Sequence, residues 1–149
     1  MNDLASIRDH VISEAFSELM AEDIQIEYKK LEDALLDCGQ LTSEGYYIEV
    51  DEVLQDAPQE VLEGGLAHEF AHLVVRKDEN SSPKTMNWIA YRFCPRYRIL
   101  NERNTDLEVI MRGYGHQLLA FLEYAECQGF PYYREDGLSA REIGRLLSL

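Results

Sequence analysis

Cysteine is sparse in this 149-residue chain: Cys38, Cys94 and Cys127 stand far apart, odd in number and without a CxxC pair. That excludes a disulfide framework or a cysteine-built metal site as the organising feature, and reduced, partly buried thiols are expected. No apolar run reaches the length needed to cross a bilayer. The opening Met1-Asn2-Asp3-Leu4 lacks the basic stretch and apolar core of a secretory signal, so the chain reads as cytoplasmic. Cations are in deficit, 14 Lys and Arg against 28 Asp and Glu, for a net charge of −14. That balance argues against general binding to nucleic acid or to an anionic membrane.

What is present is ordinary globular composition, 46% hydrophobic and 28% charged, in a length that suits one domain with its own core. The expected fold class is α+β, a single domain over residues 1–149, mostly helical with a small edge sheet. Charge is unevenly spread. Residues 76–103 carry Arg76, Lys77, Lys84, Arg92, Arg96, Arg98 and Arg103 against only Asp78, Glu79 and Glu102. Either these cations balance acidic neighbours on a solvated surface, or they form a basic patch able to hold an acidic or carboxylate-bearing ligand.

Leu4, Ile7, Val11, Ile12, Ala15, Phe16 and Leu19 fall on one stripe and predict an amphipathic helix over 4–20. Ile24, Ile26 and Tyr28 alternate with polar residues, as do Tyr46, Ile48 and Val50, and each set predicts a short strand. Leu31, Ala34, Leu35 and Cys38 suggest a helical turn ending at Gly39. A long helix is expected from Pro58 to about Val75, with Asp56 as its cap and Leu62, Leu66, Phe70 and Leu73 facing the core. Residues 77–87 read as a loop, helix resumes after Trp88, and Gly113 and Gly115 interrupt it. The segment from His116 to Cys127 is helical until Gly129 and Pro131 stop it. Ser139, with Glu142 three residues on, caps a final helix. That tail resembles the opening of a helix-turn-helix unit, but only one helix fits before Leu149, so a packing helix is expected.

The chemistry is concentrated in His68-Glu69-Phe70-Ala71-His72. Histidines four apart on a helix share one face and can converge on one zinc ion, with Glu69 beside the open coordination position as general base. Gly64 and Gly65 precede the motif inside the same helix, each costing about 1 kcal/mol relative to alanine. Close approach of another element is the usual compensation. Catalytic zinc needs a third protein ligand. Position 78 is Asp, so the extended three-histidine pattern is absent. Glu102 and Asp106 also lie four apart, so Glu102 suits the metal while Asp106 orients a ligand histidine through its second ring nitrogen. Glu108, on a different helical face, ranks second to Glu102.

HExxH followed some thirty residues later by ExxxD resembles the gluzincin metallopeptidases, and is most similar to their minimal soluble members, the minigluzincins. The resemblance covers roughly residues 45–115 and implies a zincin-like domain that hydrolyses peptide bonds with Zn2+ as cofactor. In that family an edge strand before the metal helix receives the substrate in extended form. By resemblance Tyr46, Tyr47, Ile48, Glu49 and Val50 would do so here. The implied partner is a peptide or protein substrate. An alternative is a regulatory HExxH domain that binds or cleaves one dedicated protein and is inactive on generic peptides. A group to stabilise the oxyanion is also needed. Tyr114 and His116 qualify only if the chain turns back at Gly113 and Gly115, and Tyr91, Arg103 and Arg112 compete. Cys94 is close enough in sequence to Glu102 to raise a latent thiolate-bound state, against the plainer reading of a buried thiol.

Overall fold

Helix α1 (Leu4–Ala15) starts where the Asp3 carboxylate accepts the N–H groups of Ala5 and Ser6. It buries Leu4, Ile7, Val11 and Ile12 but stops short of the expected residue 20. Phe16 leaves helical geometry (φ −131°, ψ 49°), and Ser17–Leu19 forms a 3-10 turn instead. The break lets Phe16 and Leu19 both reach the core, where the Phe16 ring lies 5.6 Å from that of Phe70. The computed structural model describes residues 1–41, 44–78, 84–130 and 136–149.

Three strands follow: β1 (Ile24–Lys29), β2 (Leu36–Gln40) and β3 (Tyr46–Asp51), in the spatial order β1-β3-β2. β1 runs parallel to β3 with Ile24 opposite Tyr46, and β2 runs antiparallel with Cys38 opposite Ile48. Two expectations are corrected here. The stretch ending at Gly39 is a strand, not a helical turn. Leu35 and Cys38 are buried, and the Tyr47 ring lies so close to Gly39 that a side chain there would clash. Pairing with β3 therefore outweighs the weak helical spacing. Second, Tyr46–Val50 is not an edge strand. It is hydrogen-bonded on both sides, so it has no free row of backbone groups to offer another chain. The open edges belong to β1 and β2.

Helix α2 (Gln59–Asp78) crosses the centre of the molecule, starting where the Pro58 carbonyl accepts the Val61 N–H at 3.0 Å. The expected core residues Leu62, Leu66, Phe70 and Leu73 are all buried. It runs on through Lys77 and Asp78, which the sequence places in a loop. The expected loop at 80–83 and the stop at Pro131 lie outside the described residues.

Helix α5 (Gly115–Gln128) packs on α2 at the two glycines. A β-carbon on Gly64 would lie 2.0 Å from the Gln117 carbonyl oxygen, which is backbone and cannot swing aside. Gly64→Ala is therefore expected to destabilise the fold by about 3 kcal/mol or more. Gly144→Ala, with nothing within 4 Å, should be neutral or stabilising by up to about 1 kcal/mol. Denaturant midpoints of the two variants check this, and equal midpoints would contradict the close crossing.

Helix α3 (Lys84–Phe93) begins earlier than the sequence suggests and ends at Cys94, held extended before Pro95 (φ −113°, ψ 99°). Pro95 then opens α4 (Pro95–Val109), the position where its missing N–H costs nothing. A five-residue π turn, Ile110–Tyr114, redirects the chain into α5, with Gly113 at φ +91°. Helix α6 (Ala140–Leu147) carries the full Ser139–Glu142 capping box and buries Ile143. The architecture is α+β, mostly helical around a small three-stranded sheet. Among the described residues no helix is long and apolar enough to cross a membrane.

Candidate metal centre

One turn of α2 presents His68 and His72, and one face of α4 presents Glu102 and Asp106 opposite them. His68 Nε2 lies 3.0 Å from His72 Nε2 and 3.0 Å from Glu102 Oε2. His72 Nε2 lies 3.3 Å from Glu102 Oε1. Donor atoms from the three residues all fall within 4.8 Å of one another. His68 and Glu102 are buried, while His72 is partly open.

Asp106 is fully buried and works on both sides of this triangle. Its Oδ1 lies 2.9 Å from His68 Nδ1, and its Oδ2 accepts the Leu138 N–H at 2.8 Å. The carboxylate thus anchors the imidazole to the segment that leads into α6. It also favours the tautomer with its proton on Nδ1, which leaves the Nε2 lone pair facing His72 and Glu102. Lone pairs and a carboxylate pointed at one spot repel unless a cation lies among them. Tetrahedral ligands with bonds of about 2.0–2.1 Å sit roughly 3.3 Å apart, which the observed separations approach. The donor set fits a metal ion, and this buried group could hold one.

Tyr91, on α3, completes the surroundings by donating its hydroxyl to Glu102 Oε1 at 2.6 Å. Burial and the neighbouring Glu102 charge push the phenol well above its ordinary pKa, so it remains a donor. Burial alone would raise the Glu102 carboxyl. The imidazoles of His68 and His72 beside it outweigh burial and hold that group far below the usual carboxylate range, so it is an anion.

The triangle opens into a cleft of about 760 Å³ that runs along α2 from Gly65 to Arg76. Glu69 lines it between the two histidines and is half-buried. β2 forms the facing wall, with Leu36, Cys38 and Gln40 among its lining residues. Cys38 is buried and its thiol is pushed up by burial, so it stays neutral.

No protein family, curated protein or solved structure matches the chain.

The remaining candidates separate by position. Glu108 pairs with Arg112 at 2.7 Å and is neither among the converging donors nor among the residues lining the cleft. Arg112 also spans Glu18 and the Ala15 carbonyl, and Arg103 makes a two-point contact with Glu142. Tyr114 is buried outside the cleft and His116 is exposed, so the turn at Gly113 brings neither to the metal triangle. Of the five groups considered for an oxyanion, only Tyr91 lines the cleft. Cys94 and Cys127 are exposed, and Cys94 does not line the cleft, which corrects the buried-thiol expectation for both. Three cations of the basic segment are held in ion pairs: Lys77 with Glu22, Arg98 with Asp136, Arg103 with Glu142. Arg76 and Arg92 are its cations at the cleft, which also carries Asp33, Asp37 and Asp136. Sequence reasoning did not single out Tyr91 for Glu102, because no helical spacing carries across the break at Pro95.

Proposed function

We propose that the chain is a zinc-dependent hydrolase of peptide bonds, acting in the manner of the gluzincins. The observation that carries this reading is the convergence of two imidazoles and one carboxylate within 4.8 Å at a cleft that Glu69 also lines. Two histidines and a glutamate with one side open form a donor set of catalytic rather than structural type. Bound there, zinc would polarise the substrate carbonyl and make a water acidic enough to attack near neutral pH.

The protein's own groups do the rest. Glu69 accepts the proton of the attacking water and returns it to the departing amine. Asp106 holds His68 in one tautomer and orientation. Tyr91 fixes Glu102 with its single hydroxyl proton, and it would have to turn that proton from Glu102 to donate to a developing oxyanion. The outer edge of β2, rather than β3, faces the cleft and is where an extended peptide would lie, with its Cys38 carbonyl already held by Arg76.

Hydrolysis of unstructured peptides should stop when a chelator removes the metal and return when zinc is restored. Hydrolysis indifferent to chelation would defeat the proposal. Tyr91→Phe should weaken zinc binding by about tenfold, measured by competition with a chromophoric chelator. Unchanged affinity would mean that Tyr91 does not orient Glu102.

A second reading, a domain dedicated to one folded partner, is favoured by one observation. The α3–α4 hairpin beside the cleft leaves Phe93 73% and Leu100 59% exposed, with Ile89 and Ile99 partly so. Stoichiometric zinc combined with no cleavage of any unstructured peptide would select it.

A further inference from the structure

Arg76 is the cation that the metal-bearing helix itself contributes to the cleft. It follows His72 by four residues on the same face of α2, about 6 Å further along the axis. One of its nitrogens donates to the Cys38 carbonyl at 3.1 Å, across the cleft on β2. The acceptor belongs to the open edge. Asp51 N–H bonds the Leu35 carbonyl and Leu41 N–H bonds the Gly45 carbonyl, so odd-numbered residues of this stretch face β3. Leu36 and Cys38 therefore turn their backbone groups outward. Arg76 is held in place from both walls, by its own helix and by a neutral oxygen.

Three cations of the same segment are spent on acids, Lys77 on Glu22, Arg98 on Asp136 and Arg103 on Glu142, whereas Arg76 and Arg92 remain at the cleft. Among the described residues no carboxylate lies within ion-pair distance of Arg76. Asp37 acts on it only through space, beyond ion-pair distance, and a single carbonyl leaves most of its five donors unused. A guanidinium positioned in this way is suited to two-point recognition of a carboxylate.

We propose that Arg76 reads a carboxylate of the ligand, making the cleft selective for extended peptides that carry one near the bond to be cut. From Glu69 to Arg76 is about 10 Å of helix, the reach of about three extended residues. The carboxylate is that of an Asp or Glu side chain about two or three residues from the bond, or the free carboxyl terminus of a short product-side segment. This inference rests on the reading of the cleft as a peptide-cleaving site.

Binding to the zinc-loaded Glu69→Gln chain tests it without turnover. The probes are short fluorescent peptides in matched pairs, Glu against Gln at each position, and free acid against amide at the carboxyl terminus. The expected result is a loss of at least about tenfold in affinity when the decisive carboxylate is neutralised. The pair showing the loss identifies its source. Adding Arg76→Gln should reduce that discrimination to less than about twofold, while Arg76→Lys should retain part of it. Zinc content and circular dichroism of these variants confirm an intact site and fold. Pairs that bind equally to the chain with Arg76, or discrimination that survives Arg76→Gln, would overturn the inference and leave the hydrolase reading standing. Failure of every peptide to bind a zinc-loaded chain would instead defeat the peptide-cleft reading, and this inference with it.

Discussion

Replacing Glu69 by glutamine is expected to lower kcat by about 10²–10⁴-fold while metal content stays at one ion per chain. The separation follows from where the side chain sits. Glu69 lies between the two histidines in sequence and lines the cleft, yet it is not one of the three residues whose donor atoms converge. Glutamine keeps the shape and the hydrogen-bonding oxygen but cannot take a proton at neutral pH. Turnover of a peptide substrate measured beside elemental analysis separates the two effects. Loss of metal in the variant would make Glu69 a ligand, and unimpaired turnover would leave the reaction without its base.

Glu102→Ala is expected to cost more metal affinity than any neighbouring change, beyond the about 10–100-fold typical of removing a ligand's hydrogen-bond partner. It removes one corner of the triangle and leaves His68, His72 and Tyr91 facing a vacancy. Glu108→Ala is the matched control, since that carboxylate belongs to an ion pair with Arg112 on another face of the chain. Competitive chelator titration of both variants should show affinity falling in the first and holding in the second. Equal effects, or the reverse order, would move the third ligand elsewhere.

The parts of this molecule that were legible in sequence are those governed by local repetition. His68 with His72 and Glu102 with Asp106 are pairs four apart, and the helix places such pairs on one face whatever the rest of the chain does. The adjacent glycines signalled a close crossing, and the Gln117 backbone now occupies that space. The capping box at Ser139 and the turn at Gly113 likewise rest on local rules. The approach of α2 to α4 is tertiary and no spacing within either helix states it; the expectation came from zinc's need for a third ligand, and the family resemblance added to it.

The sheet was harder for the same reason. Strand order is not chain order: β3 inserts between β1 and β2, so the strand nearest the metal helix in sequence lies at the centre rather than at the edge. The true facing edge, β2, contains Asp37, Gly39 and Gln40, and its alternation is too weak to outweigh a helical spacing. Its conformation comes from pairing with β3 and from burial of Leu35 and Cys38 against neighbouring elements. Tyr91 was one of several aromatic and cationic groups without rank, because its value depends on how α3 folds back over α4 at Pro95.

The whole account depends on a metal ion among His68, His72 and Glu102, and anomalous diffraction from crystals of the zinc-loaded chain tests that directly. The account predicts one strong peak at the zinc edge, about 2.0–2.2 Å from both imidazole Nε2 atoms and a Glu102 oxygen, with one position open toward Glu69. A chain that takes up no zinc, or a peak held by other residues while the two imidazoles turn apart, would contradict it.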